Sequence, residues 1–203
     1  MIKLLITCFG PFPGVPFNPS ERIARRISAS RRLRARGVAA EIMRLETCWR
    51  EAAALPRRLA KAKPDLIVMF GVAARRRKIS IERRGLAGND RMKLDAESRR
   101  ARLPARGSPA AAKTRFRPEI FASLLRRQGY MAQVSNDAGG YLCNAAYYAA
   151  LGTGIPVLFV HVPGPMPRLR PKCRTRRGRM NLAAITRACL EIVLKTASQT
   201  VPK

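Results

Sequence analysis

The sequence predicts an α/β protein: a single three-layer α/β/α domain over residues 1–203 with a mostly parallel central sheet. Three observations lead there. Strand-like apolar runs alternate with amphipathic helical stretches along the whole chain, the order that βαβ crossovers require. The runs at 66–72 and 157–160 are apolar without alternation, as strands covered on both faces are. The length of 203 residues, 47% of them hydrophobic, suits one sizeable core and is too short for two large ones. In such a sheet the reactive side chains gather at the carboxyl ends of the strands.

The first strand is expected from Lys3 to Phe9, followed by a Pro- and Gly-rich loop, Gly10 to Phe17. Asn18-Pro19-Ser20-Glu21 then offers an N-cap, a proline at the first helical position and an acid three residues after the cap, opening a helix expected to reach about Arg36. Gly37 ends it, and residues 38–45 read as a second strand. Pro56 is expected to start the next helix and Pro64 to follow its end, because proline inside a helix removes a hydrogen bond. Ile79-Ser-Ile-Glu82 alternates with period two, which puts Ile79 and Ile81 on one face and Ser80 and Glu82 on the other. Residues 85–117 are basic and Gly/Pro-punctuated and read as a long excursion. A helix over 119–128, a strand over 132–134, a helix over 142–151, a strand over 157–162 and a closing helix over 180–196 complete the order.

Composition narrows the function classes. The chain carries 41 Lys and Arg against 12 acidic residues, a net charge of +29. Its apolar content exceeds that of a disordered polycation. No apolar run approaches the roughly 18 residues needed to cross a bilayer. The N-terminal apolar stretch runs into Gly10, Pro11 and Pro13 and reads as a strand, so no export signal is expected. Five widely spaced cysteines without CxxC or His pairing disfavour a disulfide framework and a zinc site, and make a reducing cytoplasm the expected location.

His161, the one histidine, closes the apolar strand at 157–160. A lone histidine is often structural, but the end of a central strand equally suits a general acid or base. Cys143 follows a glycine pair at the start of a small-residue helix. It can be a buried thiol, or a nucleophile at a helix N-terminus, where unsatisfied N–H groups lower a thiol's pKa and can hold an oxyanion. Glu82 can pair with a neighbouring arginine or orient the imidazole. Spacing alone does not choose. The dispersed basic runs leave a second reading open, sequence-independent adhesion to nucleic acid or another polyanion, although they lack interleaved aromatics and recognition signatures.

Taken together, these residues resemble pyroglutamyl-peptidase I, the pyrrolidone-carboxyl peptidase family of cysteine peptidases. Thr7-Cys-Phe-Gly-Pro-Phe12 with Asn18-Pro-Ser20 is similar to the family's T-G-F-x-P-F and N-P-S. Pro64-Asp65 leading to Gly71, then Ile79-Ser-Ile-Glu82, resembles its P-D strand and the segment holding the catalytic Glu. Asp137-Ala-Gly-Gly-Tyr-Leu-Cys-Asn144 resembles its nucleophile motif, and Phe159-Val-His-Val-Pro163 its histidine motif. The resemblance implies an omega-peptidase that cleaves the amide after an N-terminal pyroglutamyl residue. It implies Cys143 as nucleophile, His161 as base and Glu82 as orienter, with an acyl-enzyme and no cofactor. It further implies a lactam pocket lined by Phe9, Phe12, Tyr141 and Leu142 with Asn18 close by, pyroglutamyl peptides as the partner, and a homo-oligomer by analogy.

Departures from the pattern carry their own expectation. Val72 stands where many members have a Gln able to hydrogen-bond the lactam, and Ala74-Arg75-Arg76, or a shifted equivalent, stands in place of their Gly-Gly-Arg. Gly85 to Arg91 aligns only loosely, so no role passes to Arg91. The resemblance thus implies an intact triad beside a pocket short of one polar partner, which predicts weaker discrimination against other N-acyl groups.

Overall fold

A computed structural model describes residues 1–11, 18–90, 92–102, 105–164 and 180–200. Phe12, Arg91, Cys173 and the basic run 168–179 lie outside the described residues. The elements run β1 (Ile2–Phe9), α1 (Pro19–Ser28), α2 (Arg31–Arg34), β2 (Val38–Leu45), α3 (Trp49–Ala62), β3 (Leu66–Ala73), β4 (Ile79–Glu82) and β5 (Arg84–Leu86). They continue with β6 (Ala111–Lys113), α4 (Pro118–Arg127), β7 (Ala132–Ser135), α5 (Leu142–Leu151), β8 (Val157–Pro163) and α6 (Leu182–Thr200).

Six strands form one sheet in the order β2-β1-β3-β8-β4-β7. Every pairing is parallel except that of β4 with β8, where Ser80 lies opposite His161 and Glu82 opposite Phe159. Helices cover both faces, as expected. Ile23 and Ile27 of α1, Phe121 and Leu125 of α4 and Ile192 of α6 pack on one face. Leu55 and Leu59 of α3 with Leu142, Ala146 and Tyr147 of α5 pack on the other.

Strand parity decides which layer each polar side chain meets. Leu158, Val160 and Val162 face the α1–α4–α6 layer, whereas Val157 and Phe159 face α3 and α5. Position 161 follows the second set. In β4, Ile79 and Ile81 point to the α1–α4–α6 layer. Ser80 and Glu82 therefore turn toward α5, the helix that carries Cys143.

Three expectations about local structure are corrected. The helix after Asn18 stops at Ser28, and a second short helix starts after Ser30, which has extended backbone. Ser28 Oγ donates to the Arg25 carbonyl, the local competition by which serine weakens a helix interior. Pro56 does not start α3; it lies inside it. The helix begins at Trp49 because the Asp95 carboxylate, 46 positions away, accepts the Trp49 N–H at 2.8 Å, a cap supplied by tertiary structure. The 85–117 excursion holds a short antiparallel ladder, β5 with β6, whose three-residue strands are too brief to show a period. Among the described residues, no helix is long and apolar enough to cross a membrane.

Candidate active site

His161 near the carboxyl end of β8 and Glu82 at the carboxyl end of the antiparallel β4, two positions along the register opposite Phe159, meet on the α5 face of the sheet. His161 Nδ1 lies 2.7 Å from Glu82 Oε1, with the two side chains 5% and 0% exposed. An ionised carboxylate only accepts, so Nδ1 carries the proton and Nε2 is left with a lone pair. The same Oε1 accepts from Arg76 at 2.6 Å, while Glu82 Oε2 is buried without a partner. The Tyr147 hydroxyl donates to the Glu82 carbonyl at 2.9 Å, fixing the strand end to α5. Phe159 packs against the imidazole with ring centroids 4.7 Å apart.

Cys143 is the second residue of α5, preceded by Gly139 at φ +82° and by Gly140. Asn144 anchors this turn: its Oδ1 accepts from the Leu86 N–H, and its Nδ2 donates to the Leu86 and Gly88 carbonyls and to Asn89 Oδ1. A Cβ added to Gly71, opposite His161 in the β3–β8 register, would come within 3.0 Å of Cys143 Sγ and 2.8 Å of Phe159 Cζ. Glycine at 71 thus leaves the space the sulfur occupies beside the sheet.

Burial pushes the Cys143 thiol up to about 12, and the Glu82 charge adds to the rise; Arg76 and the residue's own N–H pull the other way. The helix N-terminus makes a lowered thiol one of the two readings the sequence leaves open for Cys143, a buried thiol being the other. The lowering contributions are present, but burial and Glu82 outweigh them. A thiol in this state needs a base to become a nucleophile. Among the described residues no hydrogen bond joins Sγ to the imidazole, although both line one cavity.

That cavity has a volume of about 440 Å³. Phe9, Asn18, Val72, Tyr141 and Leu142 line it with Cys143 and His161, so the expected pocket residues that are described converge. Asn18 is heavily committed to structure: its Nδ2 donates to the Gly10 carbonyl and its Oδ1 accepts from the Ser20 N–H and hydroxyl. One N–H of that amide is left for a ligand. Tyr141 is held by its hydroxyl on the Leu94 carbonyl and by Trp49 edge-on at 5.3 Å. Sequence reasoning missed Thr47, Lys93 and Arg76 on this wall. Arg76 sits in a run of four basic residues, and nothing in that run distinguishes the one that folds inward. Among the described residues no group of three or more His, Cys, Asp and Glu side chains is placed to hold a metal ion.

Residues 2–196 match the Pyroglutamyl peptidase family. The chain belongs to that family. It is 34% identical over 170 residues to the pyrrolidone-carboxylate peptidase of Gloeobacter violaceus, covering 80% of this chain and 82% of that protein. It is 31% identical over 207 residues to the one of Thermococcus onnurineus, covering 97% and 98%. Among solved structures, the pyrrolidone carboxyl peptidase of Fervidobacterium islandicum superposes with a TM-score of 0.83 at 26% identity, covering 98% of this chain and 99% of that one. Membership of the pyroglutamyl peptidase family makes the protein an enzyme, a cysteine peptidase. Of the four described cysteines, Cys8, Cys48 and Cys189 are buried, and only Cys143 is partly open.

Proposed function

We propose that the protein is an omega-peptidase that removes an N-terminal pyroglutamyl residue from peptides, using Cys143, His161 and Glu82. The observation that carries this reading is the 2.7 Å contact of Glu82 with His161 Nδ1 on the wall of the cavity that Cys143 also lines. A protonated Nδ1 held by a carboxylate leaves Nε2 as the base, and Glu82 stabilises the imidazolium that forms.

The steps follow from these placements. Cys143 Sγ attacks the carbonyl carbon of the pyroglutamyl group as its proton passes to His161 Nε2. Backbone N–H groups in the first turn of α5 have no intrahelical acceptor and can receive the developing oxyanion. Collapse breaks the C–N bond, and the departing amine takes the proton from His161. The thioester is then attacked by water, which gives a proton to Nε2; the C–S bond breaks and the thiol is restored.

Pyroglutamate is compact and uncharged, so walls of Phe9, Val72, Tyr141 and Leu142 with one amide N–H from Asn18 suit it. Val72 adds no hydrogen bond to the lactam, which favours a tolerance for other small N-acyl groups within the same chemistry. The test is release of a reporter amine from a pyroglutamyl amide and from a panel of N-acyl amides. Turnover by the wild type, abolished in Cys143→Ser, supports the reading. Purified wild type that cleaves no member of the panel, or a Cys143→Ser variant that still cleaves, overturns it.

A further inference from the structure

Arg76 occupies a position that neither its sequence context nor the triad accounts for. It lies in the turn after β3, where its N–H donates to the Ala73 carbonyl at 2.9 Å. The side chain, 25% exposed, lines the cavity wall. One guanidinium nitrogen donates to Glu82 Oε1 at 2.6 Å and to Ser135 Oγ at 3.4 Å; the other donates to the Asp137 carbonyl at 2.6 Å. Asp137 opens the loop that leads through Gly139 and Gly140 to Cys143, and its carboxylate is turned to the Gly139 N–H. A single planar cation therefore touches the carboxylate on β4, the end of β7 and the segment that presents the sulfur.

We propose that Arg76 is a positioning residue for the reaction, balancing the charge of Glu82 at the same oxygen that holds His161 and locking the loop before Cys143 to that carboxylate. The proposal rests on the reading of Cys143 and His161 as the reacting pair. Its physical basis is that Glu82 is completely buried with one oxygen unpartnered, so its charge is answered only through Oε1, where Arg76 and His161 meet. Unbalanced, that charge would act in full on the sulfur. The Arg76 cation already draws the Cys143 thiol down against burial and Glu82. The charged and titratable groups around the pair are Arg76 from the turn after β3, Cys143 and Tyr147 from α5 and Asp137 from the loop before α5, with Arg75 and Lys93 on the cavity wall. A lysine can supply the charge but not the two-pronged geometry.

The test compares wild type, Arg76→Gln and Arg76→Lys by two readouts. One is the pH dependence of Cys143 alkylation by iodoacetamide, followed on the Cys143 peptide by mass spectrometry. The other is the pH dependence of kcat/KM on a pyroglutamyl amide. Loss of the cation that pairs with Glu82 displaces both curves of Arg76→Gln to higher pH by about 1 unit, so that alkylation at a fixed pH below the thiol's pKa slows about tenfold. Arg76→Lys is expected to recover most of the displacement, and it keeps the comparison available if the Gln variant does not fold. A purely structural role would lower activity without moving either curve. Curves of Arg76→Gln that overlie the wild type, or a Lys variant displaced as far as the Gln variant, overturn the proposal. Alkylation needs no substrate. A displaced alkylation curve in a protein that cleaves no pyroglutamyl amide would thus support the Arg76 assignment while refuting the proposed activity, and coincident curves in an active enzyme would do the reverse.

Discussion

Replacing Gly71 by alanine adds one methyl group at the point where β3, Phe159 and the Cys143 sulfur meet. The new Cβ would lie 2.8 Å from Phe159 Cζ and 3.0 Å from Cys143 Sγ, inside the ~3.5–4.0 Å at which carbon atoms pack comfortably. Phe159 is completely buried and held on both sides, so it has nowhere to go. Cys143 borders the cavity, so the sulfur gives way, while the overlap with Phe159 stays as strain in the core. Relieving its own overlap moves the sulfur by about 0.5–1 Å, and a misplacement of that size can cost about 100-fold in rate. Overpacking of this kind costs about 1–3 kcal/mol of stability. For a domain of this length that corresponds to a fall in Tm of roughly 2–12 °C. The assay is kcat/KM for a pyroglutamyl amide, taken well below the variant's own Tm so that unfolding does not contribute. A loss of activity far larger than the loss of folded fraction is expected. Gly71→Ala protein with wild-type kcat/KM would show that the sulfur beside β3 is not where the chemistry happens.

Further outcomes follow from the cavity wall and its supports. Val72→Gln restores a lactam partner and should lower KM for pyroglutamyl amides about 2- to 12-fold, the span of one hydrogen bond worth about 0.5–1.5 kcal/mol, with no matching gain for an acetyl amide; steady-state kinetics on the two substrates check it. Burial alone would raise the Asp95 carboxyl, but hydrogen bonds from the Trp49, Arg99 and Glu97 N–H groups outweigh it and hold the group below the ordinary range. A folded-state value depressed in this way gives stability above the unfolded carboxyl's value of about 3.9 that disappears as the pH falls through the folded value. Asp95→Asn should therefore be less stable than wild type by about 1–3 kcal/mol at pH 7, with the difference shrinking in acid, as read by urea melts at several pH values. A difference that stays constant down to pH 2 would contradict this account of the cap.

Much of the frame was legible because its signals are local. β3 is an uninterrupted apolar run and β8 is one up to Val160, before His161, and the period-two pattern of Ile79 to Glu82 correctly placed Glu82 on the face opposite Ile79 and Ile81. The helix 142–151 was bounded correctly by its glycine pair and small residues. What escaped was set by contacts across the chain. The start of α3 depends on Asp95, and the β5–β6 ladder depends on Gly85, whose added Cβ would lie 2.8 Å from the Tyr148 backbone nitrogen. At the site, motif order pointed to Cys143, His161 and Glu82. Arg76 could not be separated from Arg75, Arg77 and Lys78 without knowing which of them faces a buried carboxylate. The direction of the thiol's shift was also out of reach, since burial is a property of the packed molecule.

The most direct test of the central claim is to quench the wild-type enzyme in acid during turnover of a pyroglutamyl amide and to map the modified peptide by mass spectrometry. The mechanism predicts one pyroglutamyl acyl group as a thioester on the peptide containing Cys143, absent when Cys143 is serine. An acyl group on any other residue, or turnover that persists in Cys143→Ser, would contradict it.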